Sequence, residues 1–218
     1  MIGLIRYGFA TMLHSQRYLA PVLWFTGVLG VFSSGDSGPL APVYALGAAL
    51  LFVCSTWFTI VLLGVEDPAH RAITIVAAGR PRRLLLASIA VAMLSSLVLG
   101  GFALVFPLLV ARHPVAGLDL VVGLEAQLTC ASVGIAIGLL CSRLVIRRQG
   151  FALVTALGLV IVALLAPGMV PVNVLIHRMS EGSTSAALVA PVSGLLAIAV
   201  VILAACATAT QFVAARRD

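Results

Sequence analysis

Six apolar runs leave this chain few folds to adopt. They extend from Tyr18 to Phe32, Leu40 to Val65, Leu84 to Ala111, Leu120 to Cys141, Phe151 to Ala166 and Pro191 to Ala215. Hydrocarbon offers no partner to a backbone N–H or C=O, so a run of this kind is read as a helix that satisfies its own backbone while crossing a membrane. Every break carries turn or charge chemistry: Ser33 through Pro39, Glu66 through Arg83, Arg112-His113-Pro114, Arg143 through Gly150, and a long Pro167 through Ala190 segment. With 62% apolar and 9% charged residues, against roughly 25% charge in a soluble domain, a water-soluble globule is excluded, and so is a disordered chain. At about 20 residues per span, six spans leave too little of the 218 residues for a sizeable soluble domain. The expected fold is a single all-α integral membrane domain, residues 1–218, with six transmembrane helices.

The basic residues set its orientation. All thirteen are Arg, and eleven of them (Arg6, Arg17, Arg71, Arg80, Arg82, Arg83, Arg143, Arg147, Arg148, Arg216 and Arg217) fall on one side of a six-span topology, leaving Arg112 and Arg178 on the other. Arginine-rich loops stay in the cytoplasm, so both termini are expected there. The first and fifth runs are short, roughly 23 Å at 1.5 Å per residue against a core of about 30 Å, and must borrow flanking residues or sit in thinned bilayer. Losing either would break the charge pattern. The absence of Lys excludes a phosphate-cradling GxxxxGK[ST] loop, so any ATP must be hydrolysed by another chain. The arginines are scattered between apolar runs rather than interleaved with aromatics, which argues against nucleic acid. Arg6 precedes an apolar run, but no small-residue cleavage site follows, and a removable signal peptide is not expected.

Two segments outside the spans have their own pattern. In residues 1–17, Gly3, Arg6, Ala10, His14 and Arg17 share one helical arc and Ile2, Ile5, Phe9, Met12 and Leu13 another, as in an amphipathic helix lying on the membrane surface. In the 66–83 loop, Asp67-Pro68 is an N-cap and first-position pair and Gly79 with Pro81 a stop, so residues 68–78 are expected to be helical. Ala69, Ala72, Ile73 and Val76 would form its apolar face, with His70, Arg71 and Thr74 opposite. Another protein or the lipid surface could bind such a helix; the plainer reading is an interfacial helix that only anchors the loop.

A surface helix leading through Arg17-Tyr18 into the first span, six spans with both ends inside, Glu66-Asp67-Pro68 opening a loop helix, and a long outer segment before the last span together resemble the small bacterial ABC transporter permeases of the type-two, exporter-like class. The resemblance covers essentially the whole chain and rests on architecture and loop placement. It implies a bacterial cytoplasmic-membrane protein with residues 1–17 as the elbow helix. Glu66, Asp67, His70, Arg71, Ile73 and Val76 would belong to a coupling helix that docks on a separate ATP-binding subunit, with Arg143 to Gly150 as a smaller contact. A second permease, identical or homologous, would complete the assembly; ATP and Mg would be held by the partner ATPase and no cofactor by this chain. Residues 167–190 would be an extracellular segment supplying short helices that cap the pathway, although its Pro, Gly and Ser content leaves re-entry into the membrane open. The chain itself would not be an enzyme.

Polar residues within spans are the candidates for a substrate route. Ser55 and Thr59 share a face of the second span; Glu125, Thr129 and Ser132 form a stripe near the outer end of the fourth. The competing reading is that Ser and Thr bond carbonyls of their own helix and that Glu125 meets water at the headgroups. Ala131, Gly134 and Gly138, on the opposite face of the fourth span, suit close helix packing. Pro107 should kink the third span. Cys54, Cys130, Cys141 and Cys206 lie in apolar runs without CxxC spacing, and His14, His70, His113 and His177 lie at interfaces or in loops, so neither zinc nor haem is expected. The alternatives are a small secondary transporter of two inverted three-span halves, which lacks an obvious mid-span coupling group, and a non-transporting immunity or assembly factor.

Overall fold

The computed structural model describes residues 2–33, 39–65, 81–110, 117–142, 149–166, 168, 171–181 and 185–215. Among the described residues all regular structure is helical: α1 (Ile2–Ser15), α2 (Leu19–Ser33), α3 (Leu40–Val65), α4 (Pro81–Val110), α5 (Gly117–Leu140), α6 (Gln149–Leu165), α7 (Pro171–Ser180) and α8 (Ser185–Ala215). Four of these, α3, α4, α5 and α8, are long and apolar enough to cross a membrane; α2 and α6, at 15 and 17 residues, are shorter apolar helices. Together they point to a membrane-embedded protein.

Two helices start earlier than their apolar runs. α4 begins at Pro81, ahead of the run's first residue Leu84, because proline's fixed φ and missing N–H suit the first position of a helix. Arg82 and Arg83 therefore belong to its first turn. α8 begins at Ser185 and runs through Pro191, so residues 185–190, expected in an outer segment, are helical. α4 likewise continues through Pro107 to Val110.

The centre of the bundle is α5, flanked along its length by α3 and α8 and on a third side by α4. Every residue from Thr129 to Ala136 is buried, so this helix is enclosed all round. By contrast, α8 buries a narrow stripe, Leu188, Val192, Ala199, Ala207 and Thr210, whose spacing marks one helical face, and leaves Ile198, Val200, Val201 and Phe212 exposed. An apolar exterior of this kind suits lipid rather than water.

Helix directions follow from which residues meet. Gly123 lies against Tyr44, Gly134 against Ser55 and Gly138 against Thr59, so α3 and α5 run parallel. Tyr44 Oη donates to the Leu104 carbonyl at 3.4 Å, Gly100 lies against Leu51, and Leu62 shares a cleft with Leu84 and Val91; α3 and α4 are antiparallel. α2 and α3 are antiparallel too, with Cys54 Sγ donating to the Pro21 carbonyl at 3.5 Å and Gly47 near Leu29.

The two ends of the bundle are built differently. α1 lies across the end where α3 finishes and α4 starts, with Leu4, Tyr7, Gly8 and Met12 facing Leu62, Leu84, Ala87 and Val91. Gly8 permits this approach, since a Cβ there would stand 3.1 Å from Val91 Cγ2. The apolar arc read from sequence is only partly engaged: Ile5, Phe9 and Met12 pack inward, while Ile2 and Leu13 are 84% and 52% exposed. Gln16, at φ 52°, ends α1 in the left-handed region, and its carbonyl accepts from the Leu19 N–H at 3.1 Å, which turns the chain into α2. At the opposite end α7 sits among α3, α5, α6 and α8, with Val172, Leu175 and Met179 fully buried.

Candidate functional site

The candidate route residues come from two helices, and α5 separates them. On α3, Ser55 and Thr59 are each 1% exposed. They pack on the glycine face of α5: a Cβ built at Gly134 would collide with the Ser55 hydroxyl and stand 2.6 Å from the Phe52 carbonyl oxygen, and one at Gly138 would stand 2.6 Å from Thr59 Cβ and 3.0 Å from the Thr56 carbonyl oxygen. The small residues of α5 thus serve α3 of the same chain. Close approach of two backbones is what small-xxx-small spacing allows in a membrane, where dispersion rather than water exclusion drives helix association.

The hydroxyls in this seam are satisfied locally. Ser55 Oγ donates to the Phe52 carbonyl at 3.1 Å and Thr59 Oγ1 to the Ser55 carbonyl at 2.7 Å. Thr56 Oγ1 stands 2.9 Å from the Phe52 carbonyl and 3.1 Å from that of Gly134, so one hydroxyl proton is shared between its own helix and its neighbour. Thr56 was not singled out from sequence, yet it makes the polar link between α3 and α5.

The second stripe lies on the other side of α5. Thr129 and Ser132 are buried, and Thr129 Oγ1 donates to the Glu125 carbonyl at 2.8 Å. A face opposite the α3 contact is left to α8, the other long neighbour of α5. Glu125 is half-buried, and its buried Oε2 finds no hydrogen-bond partner among the described residues. Helix geometry therefore does not join Ser55 and Thr59 to Glu125, Thr129 and Ser132 in one lining. The coupling residues Glu66, Asp67, His70, Arg71, Ile73 and Val76, with the 68–78 helix, lie outside the described residues.

Two further polar groups stand out in the fold. Gln127 is 2% exposed, and neither Nε2 nor Oε1 has a partner among the described residues. It occupies space left by two glycines, with Nε2 3.1 Å from a Cβ built at Gly47 and its own Cβ 3.3 Å from one built at Gly100. The signal was present in the sequence as a lone amide within an apolar run. Asn173, in α7, donates from Nδ2 to the Leu164 carbonyl at 2.6 Å and so satisfies one of the free carbonyls at the end of α6. Nothing in the sequence pairs these two residues.

Among the described residues no group of three or more His, Cys, Asp or Glu could hold a metal ion. What the buried groups form is a tightly packed α3–α5 seam, a covered amide at the α3, α4 and α5 junction, and a carboxylate facing away from both. No protein-family model, curated protein or solved structure matches the chain.

Proposed function

We propose that the chain is the membrane-spanning permease subunit of an ATP-driven exporter of the ABC type, in a bacterial cytoplasmic membrane with both termini inside. On this reading α2, α3, α4, α5, α6 and α8 are six spans, the shorter two completed by flanking residues. The observation that carries the proposal is the difference between the two ends: an amphipathic α1 lies where the 66–80 connection leaves α3 and enters α4, and a short buried α7 covers the other end.

The mechanism follows from the seam. A separate ATPase would dock on residues 68–78 and push on the end of α3 and the start of α4. Because Gly134 and Gly138 lock α5 to α3 at backbone contact, displacement of α3 carries α5 with it, while α4 and α2 meet α3 less closely. Rocking of this kind gives alternating access without covalent chemistry. The cargo is an apolar or amphipathic compound, and a second permease completes the pathway.

The test is co-purification. The tagged chain should bring down an ATPase, and replacing Ile73 and Val76 with Asp should release it; an association that survives both substitutions overturns the coupling assignment. Glu125, with its unpartnered carboxylate oxygen, favours one other reading, a proton-coupled secondary transporter. Proton-driven transport by the lone chain in liposomes, abolished in Glu125→Gln, would establish that reading in place of the first.

A further inference from the structure

The amide of Gln127 belongs to a rigid pair of helices and is covered by a third. Gly134 and Gly138 hold α5 against α3 at backbone contact, and the amide lies between the same two helices, with Nε2 3.1 Å from a Cβ built at Gly47. α4 closes over it: Ala103 Cβ stands 3.5 Å from that same built atom, and a Cβ at Gly100 would stand 3.3 Å from the Gln127 Cβ. α4 meets α5 less closely than α3 does, so a movement of α4 away from the pair uncovers the amide. Gln127 is 2% exposed, with Nε2 and Oε1 both unpartnered among the described residues. Such an arrangement costs stability that a leucine would not, so the packing gives the amide no use.

Beside Gln127, a cleft runs between α4 and α5 to the apolar exterior. Its walls include Leu97, Gly100 and Gly101 of α4 and Leu124, Gln127 and Leu128 of α5, and none of its lining residues is charged. Leu97 and Leu124 are exposed, and a Cβ built at Gly101 meets nothing within 4 Å, so the mouth of the cleft faces lipid. Its free space amounts to about one water. The cleft is therefore closed here and widens only as α4 parts from α5. Apolar walls around one orienting polar group are the make-up of a small-molecule site.

We propose that Gln127 is the contact that recognises the cargo, and that the cargo is an amphipathic compound bearing an uncharged carboxamide. It enters from the lipid side between α4 and α5 and pairs with the Gln127 amide once α4 has withdrawn. The assignment deepens the permease reading and rests on it, because that reading supplies the cargo and the motion of α3 and α5 relative to α4. Chemistry selects the class. A glutamine amide offers an acceptor and two donors, and a second carboxamide satisfies an acceptor and a donor at once. A carboxylate only accepts and an ammonium only donates, and the uncharged walls leave either ion without a counter-charge at a heavy desolvation cost.

Thermal unfolding of the full-length chain in detergent tests it, with dodecanamide, dodecanoate and dodecylammonium as probes of one chain length, since a ligand of the folded state raises the midpoint. Dodecanamide should raise it at a concentration about tenfold lower than either ion, the scale of one buried hydrogen bond. In Gln127→Leu the amide should lose that advantage. Gly101→Leu, which has open space for its side chain, should fold and fill the mouth, so that about tenfold more dodecanamide is needed. Ser193→Leu, on the exposed face of α8, should keep the wild-type ranking. Equal response to the three probes, preference for an ion, or an unchanged ranking in Gln127→Leu or Gly101→Leu would each overturn the site. The measurement needs no ATPase, so its failure stands apart from that of the co-purification: an ATPase that binds a chain with no amide preference removes the cargo assignment alone.

Discussion

Gly134 shows how much a missing side chain decides in this fold. Its position is closed by backbone: the Phe52 carbonyl oxygen would stand 2.6 Å from an added Cβ, and a backbone atom cannot swing aside as a side-chain tip does. Gly134→Ala should therefore destabilise the protein in detergent by about 1–3 kcal/mol, read as a lowered midpoint of thermal unfolding. Gly158, on α6, has nothing within 4 Å of the same built atom, so Gly158→Ala should be neutral or stabilising by up to about 1 kcal/mol. Equal effects at the two positions would mean that α3 and α5 do not touch as described. Gln127 gives the opposite kind of expectation. Both ends of its amide are buried without partners, so Gln127→Leu should leave stability unchanged or raise it by about 1 kcal/mol. A clear loss on the same unfolding measurement would reveal a partner for the amide.

Among the elements, α7 is one that the apolar runs do not mark. Short helices in the 167–190 segment were implied only by the family resemblance, because a ten-residue helix is too short to be found from apolar runs tens of residues long. Its buried positions, Val172, Leu175 and Met179, recur at intervals of three and four, which identifies a helix face only once its ends are known. Leu175→Ala should cost about 2–5 kcal/mol, the range for emptying a filled core position. Asn173→Ala should cost about 1 kcal/mol more than a surface substitution through loss of the Leu164 contact. If thermal unfolding in detergent shows neither loss, α7 is not part of the packed core. α1 and α2 pose a related matter: Gln16 holds a backbone angle that glycine adopts freely, so Gln16→Gly should stabilise the turn between them and Gln16→Val should weaken it.

For the whole molecule, the arrangement to be tested is the alternation of helices. Antiparallel neighbours α2, α3 and α4 and the parallel pair α3 and α5 are what short connections between successive spans produce. The proposed orientation then places residue 37 outside and residue 147 inside. In a background where Cys206, the one partly exposed native cysteine, is replaced by Ala, Ser37→Cys should react with a membrane-impermeant maleimide in intact cells. Arg147→Cys should react only after permeabilisation. The reverse pattern would invert the topology, and with it the side on which an ATPase could dock.

Hydropathy and charge carried much of this by themselves. The apolar runs located α2 to α6 and most of α8, because a helix in lipid must present apolar side chains wherever it is not covered by protein. The runs placed the starts of α4 and α8 too late, at Leu84 and Pro191, since proline suits a helix start and can be passed within a helix when only one bond is lost. Which helix becomes the centre was not legible. α5 is no more apolar than its neighbours; its glycines and hydroxyls acquire meaning only against Phe52, Ser55, Thr56 and Thr59 of α3. Periodicity identifies the face a helix has, whereas only tertiary structure supplies the surface that face must fit.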